Sequence, residues 1–141
     1  MSTPPLPPEV REMLAKPNPA VMATVRADGA PVTAATWYLL DGDEILLNLD
    51  DARVRLKHLR NDPRVTLTVL DENSWYTHIT LVGRITTFRA DDGLVDIDRL
   101  SQHYGGEPYP VRDRPRTSAI MAVERFYGWG ALQDTDQSSS R

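Results

Sequence analysis

The chain has 141 residues, 40% of them hydrophobic and 26% charged, which is the length of one domain and the composition of a globular protein. It has no cysteine, so a disulfide scaffold, a thiolate metal site and a cysteine nucleophile are excluded, and a cytoplasmic protein is the simpler reading. A formal net charge of −4 argues against a coat for nucleic acid, whose phosphates require surplus Lys and Arg.

No apolar run reaches the length of a membrane span, and prolines interrupt MSTPPLPPEVREML where a secretory leader needs an apolar stretch. Six of the eleven prolines fall in the first twenty residues, and residues 134–141 (DTDQSSSR) are small and polar. Both ends are therefore expected to be loosely held around an ordered core of about residues 8–130, within a single domain spanning 1–141.

In PEVREML, Val10, Met13 and Leu14 recur at helical spacing and Pro8 suits a first turn, so a short helix is expected from Pro8 to Leu14. The stretch AVMATVRADGAPVTAATWYLLDGDEILLNL is rich in β-branched and aromatic residues, with Asp28-Gly29 and Asp41-Gly42 where strands reverse. It reads as a meander of three antiparallel strands. Residues Ala52 to Asn61 read as a second helix, ended by Asp62-Pro63 because the residue before proline is driven out of the helical region. RVTLTVLD and YTHITLVGRITTF supply strands four and five, with a bulge or close backbone approach at Gly83. ADDGLVDIDRLSQHYGG puts Leu94, Ile97, Leu100 and Tyr104 on one helical face and ends in glycines, and RTSAIMAVERFYGWG is the sixth strand. Six short strands with helices between them close most easily as a small antiparallel barrel, so a mainly β domain of the α+β class is expected.

Five of the sixteen basic residues, Arg53, Arg55, Lys57, Arg60 and Arg64, fall within twelve positions of an acidic chain. Arg53, Lys57 and Arg60 share a helical face while Arg55 points elsewhere. Two or three of these cations, with free N–H groups at the helix start, suit one phosphate; a solvated basic face is the alternative. Aromatics cluster at Trp37-Tyr38 near the end of the second strand, at Trp75-Tyr76 before the fifth, and at Tyr127 and Trp129 after the sixth. They are either ordinary packing residues or walls for a flat conjugated ligand. His58, His78 and His103 lack metal-ligand spacing, and Asp91, Asp92, Asp96 and Asp98 open a helix, where carboxylates favour the dipole without any catalytic task. No side chain is singled out as catalytic, and no metal is expected.

The order of these blocks resembles the pyridoxamine 5′-phosphate oxidase-like flavin-binding split β-barrels, and among them the actinobacterial oxidoreductases that use the deazaflavin coenzyme F420. The matching stretches are AVMATVRADGAPVTAATWYLLDGDEILLN, ARVRLKHLRNDPRVTLTV, ITLVGRITTF and VERFYGWG, over about residues 8–130. The resemblance implies a six-stranded split barrel that forms a homodimer, with two cofactor sites at the subunit interface. It implies that Arg53, Arg55 and Lys57 contact the cofactor phosphate, and that the backbone around Ala35, Thr36 and Trp37, with Asn48, lines the ring. Trp75 and Tyr76 would reach the site from the partner chain. The implied reaction is hydride transfer between reduced F420 and an unsaturated small-molecule acceptor, the protein supplying binding, orientation and electrostatics. Arg60 and Arg64 would extend the basic surface toward the carboxylate tail of F420. The alternatives are an FMN-dependent oxidoreductase of the same family, or a flavin- or haem-binding split barrel without turnover.

Overall fold

The computed structural model describes residues 1–132. The polar run at 134–141 therefore lies outside the described residues. The N-terminal stretch, expected to be loose, is tethered: the Ser2 N–H donates to the Phe126 carbonyl, the Phe126 N–H returns the bond to Ser2, and Leu6 is buried. A main-chain bridge and an anchored leucine outweigh the proline-rich composition.

Helix α1 runs from Pro8 to Leu14 with proline at its first position, and it buries Val10, Met13 and Leu14. Strands β1 (Ala20–Val25) and β2 (Pro31–Thr36) form a hairpin whose turn places Gly29 at φ +86°, a conformation that suits glycine. Strands β3 (Leu39–Asp41) and β4 (Glu44–Asp50) form a second hairpin. Helix α2 spans Val54–Asn61, with Arg53 as its extended N-cap and Leu56 and Leu59 buried. Strands β5 (Arg64–Asp71) and β6 (Ser74–Ala90) follow, then helix α3 (Val95–Gly105) and strand β7 (Arg116–Trp129). Among the described residues no helix is long and apolar enough to cross a membrane.

The strands make one antiparallel sheet of seven, ordered β2-β1-β5-β6-β7-β4-β3. Two expectations are corrected here. Among the described residues the strand count is seven rather than six, because Leu39–Asp41 separates from the preceding run as its own strand. The expected meander is two hairpins at opposite ends of the sheet: among the described residues β2 pairs only with β1, and β4 pairs with β3 and β7. Both Asp-Gly turns form as read, but alternation and turn chemistry do not say which strand edges meet. Smaller shifts follow the same pattern. Trp75 and Tyr76 lie inside β6, Tyr127 and Trp129 lie inside β7, and Leu94 precedes α3 in a left-handed conformation instead of joining its apolar face.

Because the two edge strands are consecutive in sequence, Thr36 and Leu39 are separated by only three Cα steps, at most about 11 Å. The sheet must curl until its edges nearly meet, with Trp37-Tyr38 carrying the chain across the opening. Gly83 permits this curvature. A Cβ there would sit 1.9 Å from the Ala122 carbonyl oxygen, and the β6–β7 register shifts at the same place. The inside is filled by Met22, Tyr38, Ile45, Leu47, Leu67, Leu81 and Met121, with Leu14 and Leu59 from the helices.

Candidate functional site

The crossing at the sheet opening is fixed from below. Tyr38 is completely buried, and its hydroxyl donates to the Lys16 carbonyl at 3.1 Å. Asn18, also buried, donates through Nδ2 to the Met13 carbonyl at 2.7 Å, and its Oδ1 accepts the Glu72 N–H. The Tyr104 hydroxyl of α3 donates to the Asn18 carbonyl at 2.7 Å and accepts the Tyr38 N–H at 3.3 Å. Burial pushes the Tyr104 phenol up to about 12, so it stays protonated at neutral pH. Burial raises Tyr38 as well.

With the backbone held in this way, the Trp37 ring stacks on Tyr104, centroids 5.2 Å apart and planes 13° from parallel, and meets Tyr109 edge-on at 6.2 Å. These three rings wall a cavity of about 570 Å³. Ile97 and Leu100 of α3 add an apolar side, while Asn48, Arg55, Glu72 and Arg116 supply polar groups.

The basic side is unbalanced. Arg55 is half-buried, and its Nη1 is shielded from solvent with no hydrogen-bond partner among the described residues. Burial, and then the charges of Arg53 and Arg116, push its pKa down. Arg116 donates through Nε to Asn48 Oδ1 at 2.7 Å and lies over the Tyr109 ring, 4.9 Å from the centroid. Asn48 Nδ2 donates to Asp91 Oδ2 and to Ser118 Oγ, each at 3.1 Å. Asp91 also accepts the backbone N–H groups of Asp96 and Ile97, so it caps α3, as its place at the helix start suggests.

Of the sequence-predicted site residues, Ala35, Thr36, Trp37, Asn48 and Arg55 line this one cavity. Arg53 is exposed at the N-cap of α2. Lys57 borders a separate depression with Arg26, His58 and Asn61. Trp75 and Tyr76 stack on each other at 4.4 Å, are 61% and 65% exposed, and lie outside the cavity lining. The basic cluster therefore does not converge on one point: Arg60 covers the Phe88 ring and Arg64 pairs with Asp62. Sequence reading missed Arg116, Tyr109 and Glu72 as lining residues. It placed Ile97, Leu100 and Tyr104 on one helical face but gave that face no ligand. Among the described residues no group of three or more His, Cys, Asp or Glu side chains is placed to hold a metal ion.

The family model for pyridoxamine 5′-phosphate oxidase matches residues 6–130. The chain belongs to that family. No curated protein matches the sequence. Among solved structures, an F420 reductase superposes with a TM-score of 0.76 at 23% identity, covering 86% of this chain and 98% of its own. A conserved hypothetical protein from Mycobacterium tuberculosis gives 0.67 at 22%, over 90% and 86%. HupZ from Group A Streptococcus gives 0.64 at 18%, over 93% and 99%. Identities this low speak to the shared family fold.

Proposed function

We propose that this protein is an oxidoreductase that uses the deazaflavin coenzyme F420 to exchange hydride with an unsaturated small-molecule acceptor. The observation that carries this reading is Arg55, a half-buried guanidinium with a desolvated, unpartnered nitrogen in the wall of an aromatic-lined cavity. A desolvated donor without an acceptor is costly, and a phosphate supplies a charged one. The cavity volume also falls among those of cofactor sites, about 300–1,000 Å³.

When bound, such a coenzyme supplies a ring that carries the hydride. The chain's own residues bind and orient it. Arg55 takes the phosphate, with Arg53 flanking it at the entry of α2, and Lys57 serves a ligand portion that reaches the neighbouring depression. Among the described residues strand β2 has no partner beyond β1, which leaves half of the peptide groups around Ala35 and Thr36 for a ring's polar edge. Trp37, Tyr104 and Tyr109 give the flat walls, and Ile97 and Leu100 exclude water. We read residues 1–141 as one cofactor-binding domain that acts as a homodimer. The exposed Trp75-Tyr76 pair is then offered to the second copy's site at the subunit interface.

The similarity in fold to an F420 reductase supports the deazaflavin. FMN is the second reading, because membership of the pyridoxamine 5′-phosphate oxidase family supports a flavin-type cofactor and FMN shares the phosphate and tricyclic ring of the deazaflavin. Titration with F420 and, separately, with FMN, followed by tryptophan fluorescence quenching, tests both. F420 is expected to bind at micromolar concentration or below, and to lose at least tenfold in affinity when Arg55 and Lys57 are both changed to Ala. Preferential FMN binding moves the protein to the second reading, and binding of neither ends both.

A further inference from the structure

Arg116 opens β7 and lines the cavity, yet the phosphate reading above leaves it without a task. Its guanidinium is seated with unusual definition. Nε is fixed by Asn48 Oδ1, and the plane is supported by the Tyr109 ring. The Asn48 amide is itself held by Asp91 and Ser118, so turning it to release Arg116 breaks two further hydrogen bonds. Asp50 feels the charge of Arg116 but already accepts Arg114 and the Ala52 N–H. Among the described residues no ion pair or hydrogen bond occupies the terminal nitrogens of Arg116, although the chain carries more acidic than basic residues.

A guanidinium with Nε anchored, its plane supported and its terminal nitrogens free is a preorganised receptor for a planar oxyanion. We infer that Arg116 receives the carboxylate of the acceptor, so that the substrate class is conjugated carboxylic acids whose flat body rests against the cavity's aromatic walls. The inference deepens the proposed function and rests on it. A neutral acceptor would leave the cation desolvated and uncompensated once it filled the site. A carboxylate matches one guanidinium in charge and geometry, whereas a second phosphate demands more cations than remain beside Arg55.

Calorimetric titration of the full chain with 2-naphthoate and with its uncharged counterpart 2-naphthamide, with and without bound coenzyme, tests this. The unmodified protein is expected to prefer the acid at least tenfold. Arg116→Gln is expected to reduce that preference below twofold while leaving coenzyme affinity within twofold, and Tyr109→Leu to give an intermediate value. If Arg116→Gln does not fold, Arg116→Lys, which keeps the charge and loses the fork, is expected to lower the preference at least threefold. No preference in the unmodified protein, or one unchanged in these variants, overturns the inference. So does a tenfold loss of coenzyme affinity in Arg116→Gln, which gives Arg116 to the coenzyme phosphate. Failure of the unmodified protein to bind either coenzyme refutes the proposed function instead, and is read independently of the acid titration in coenzyme-free protein.

Discussion

Trp37 on the strand-to-strand crossing and Tyr104 on α3 stack nearly parallel, 67 positions apart in sequence, and the Tyr104 hydroxyl ties both the Tyr38 N–H and the Asn18 carbonyl to the helix. One side chain thus joins the cavity wall to the closure of the sheet. Replacing it by Phe keeps the stack and removes the hydroxyl, leaving two backbone groups short of a partner; a loss of about 1–2 kcal/mol is expected. Tyr104→Ala removes the ring as well and is expected to cost about 3 kcal/mol or more. Urea unfolding gives both values. Coenzyme titration should separate them, with the Phe variant near the parent and the Ala variant at least fivefold weaker.

Gly83 makes a second, sharper prediction. Its missing Cβ would lie 1.9 Å from backbone oxygen, which cannot turn away as a flexible side chain can. Gly83→Ala must push β6 from β7 at the bulge, at about 3 kcal/mol or more. Gly29→Ala is the comparison. It has open space around its Cβ and only a positive φ to strain it, so about 1 kcal/mol is expected. Equal destabilisation of the two variants would refute the close-approach reading.

These two residues also mark what the sequence reveals. Gly83 stands out because glycine interrupts an alternating run, and the bulge lies where that interruption predicts. Helix α1, the Asp62-Pro63 stop and both Asp-Gly turns are legible for the same reason, since each rests on chemistry local to a few residues. The placement of the hairpins at opposite sheet edges is not local. It depends on Trp37-Tyr38 finding Asn18 and Tyr104, contacts without periodicity. The site divides in the same way. Arg55 is visible as part of a charge run, whereas Arg116 becomes notable only when Asn48 and Tyr109 are seen to hold it. Conversely, Arg53, Lys57 and Arg60, expected to share a helical face, part company: Arg53 is the N-cap before α2, Lys57 borders a separate depression and Arg60 covers Phe88, while Arg55, expected to point elsewhere, is the one that lines the cavity.

Asp96 links stability to acid. Burial raises its pKa, but hydrogen bonds from Ser118 and Arg89 and the Arg89 charge outweigh that, and the carboxyl titrates below its ordinary value. A folded-state pKa below the unfolded one means that the stabilisation is complete above the unfolded value, near 4, and disappears as pH falls through the lower folded value. Asp96→Asn is therefore expected to be less stable than the parent at pH 7, by about 1–3 kcal/mol for a charged, partly buried hydrogen-bond group. The gap should narrow as pH falls below the unfolded value near 4. Urea midpoints at pH 7 and at successively lower acidic pH check it, and a constant gap would assign the loss to packing instead of charge.

Arg55 sets binding against stability. Among the described residues its Nη1 has no acceptor, and the positive charges of Arg53 and Arg116 oppose its own. Replacing it with Met keeps the aliphatic stem and removes a poorly compensated cation, so unfolding free energy is expected to stay level or rise by about 1 kcal/mol. The coenzyme reverses the order. At a concentration 100-fold above its Kd, a ligand that binds only the folded chain adds about 2.7 kcal/mol, and a variant that binds 100-fold more weakly keeps only about 0.4 kcal/mol. Thermal melts with and without coenzyme should therefore cross: Arg55→Met equal or higher without it, and lower by several degrees with it. A ligand-free melt that falls by more than about 5 °C would make Arg55 a structural group and remove the main support for a phosphate there.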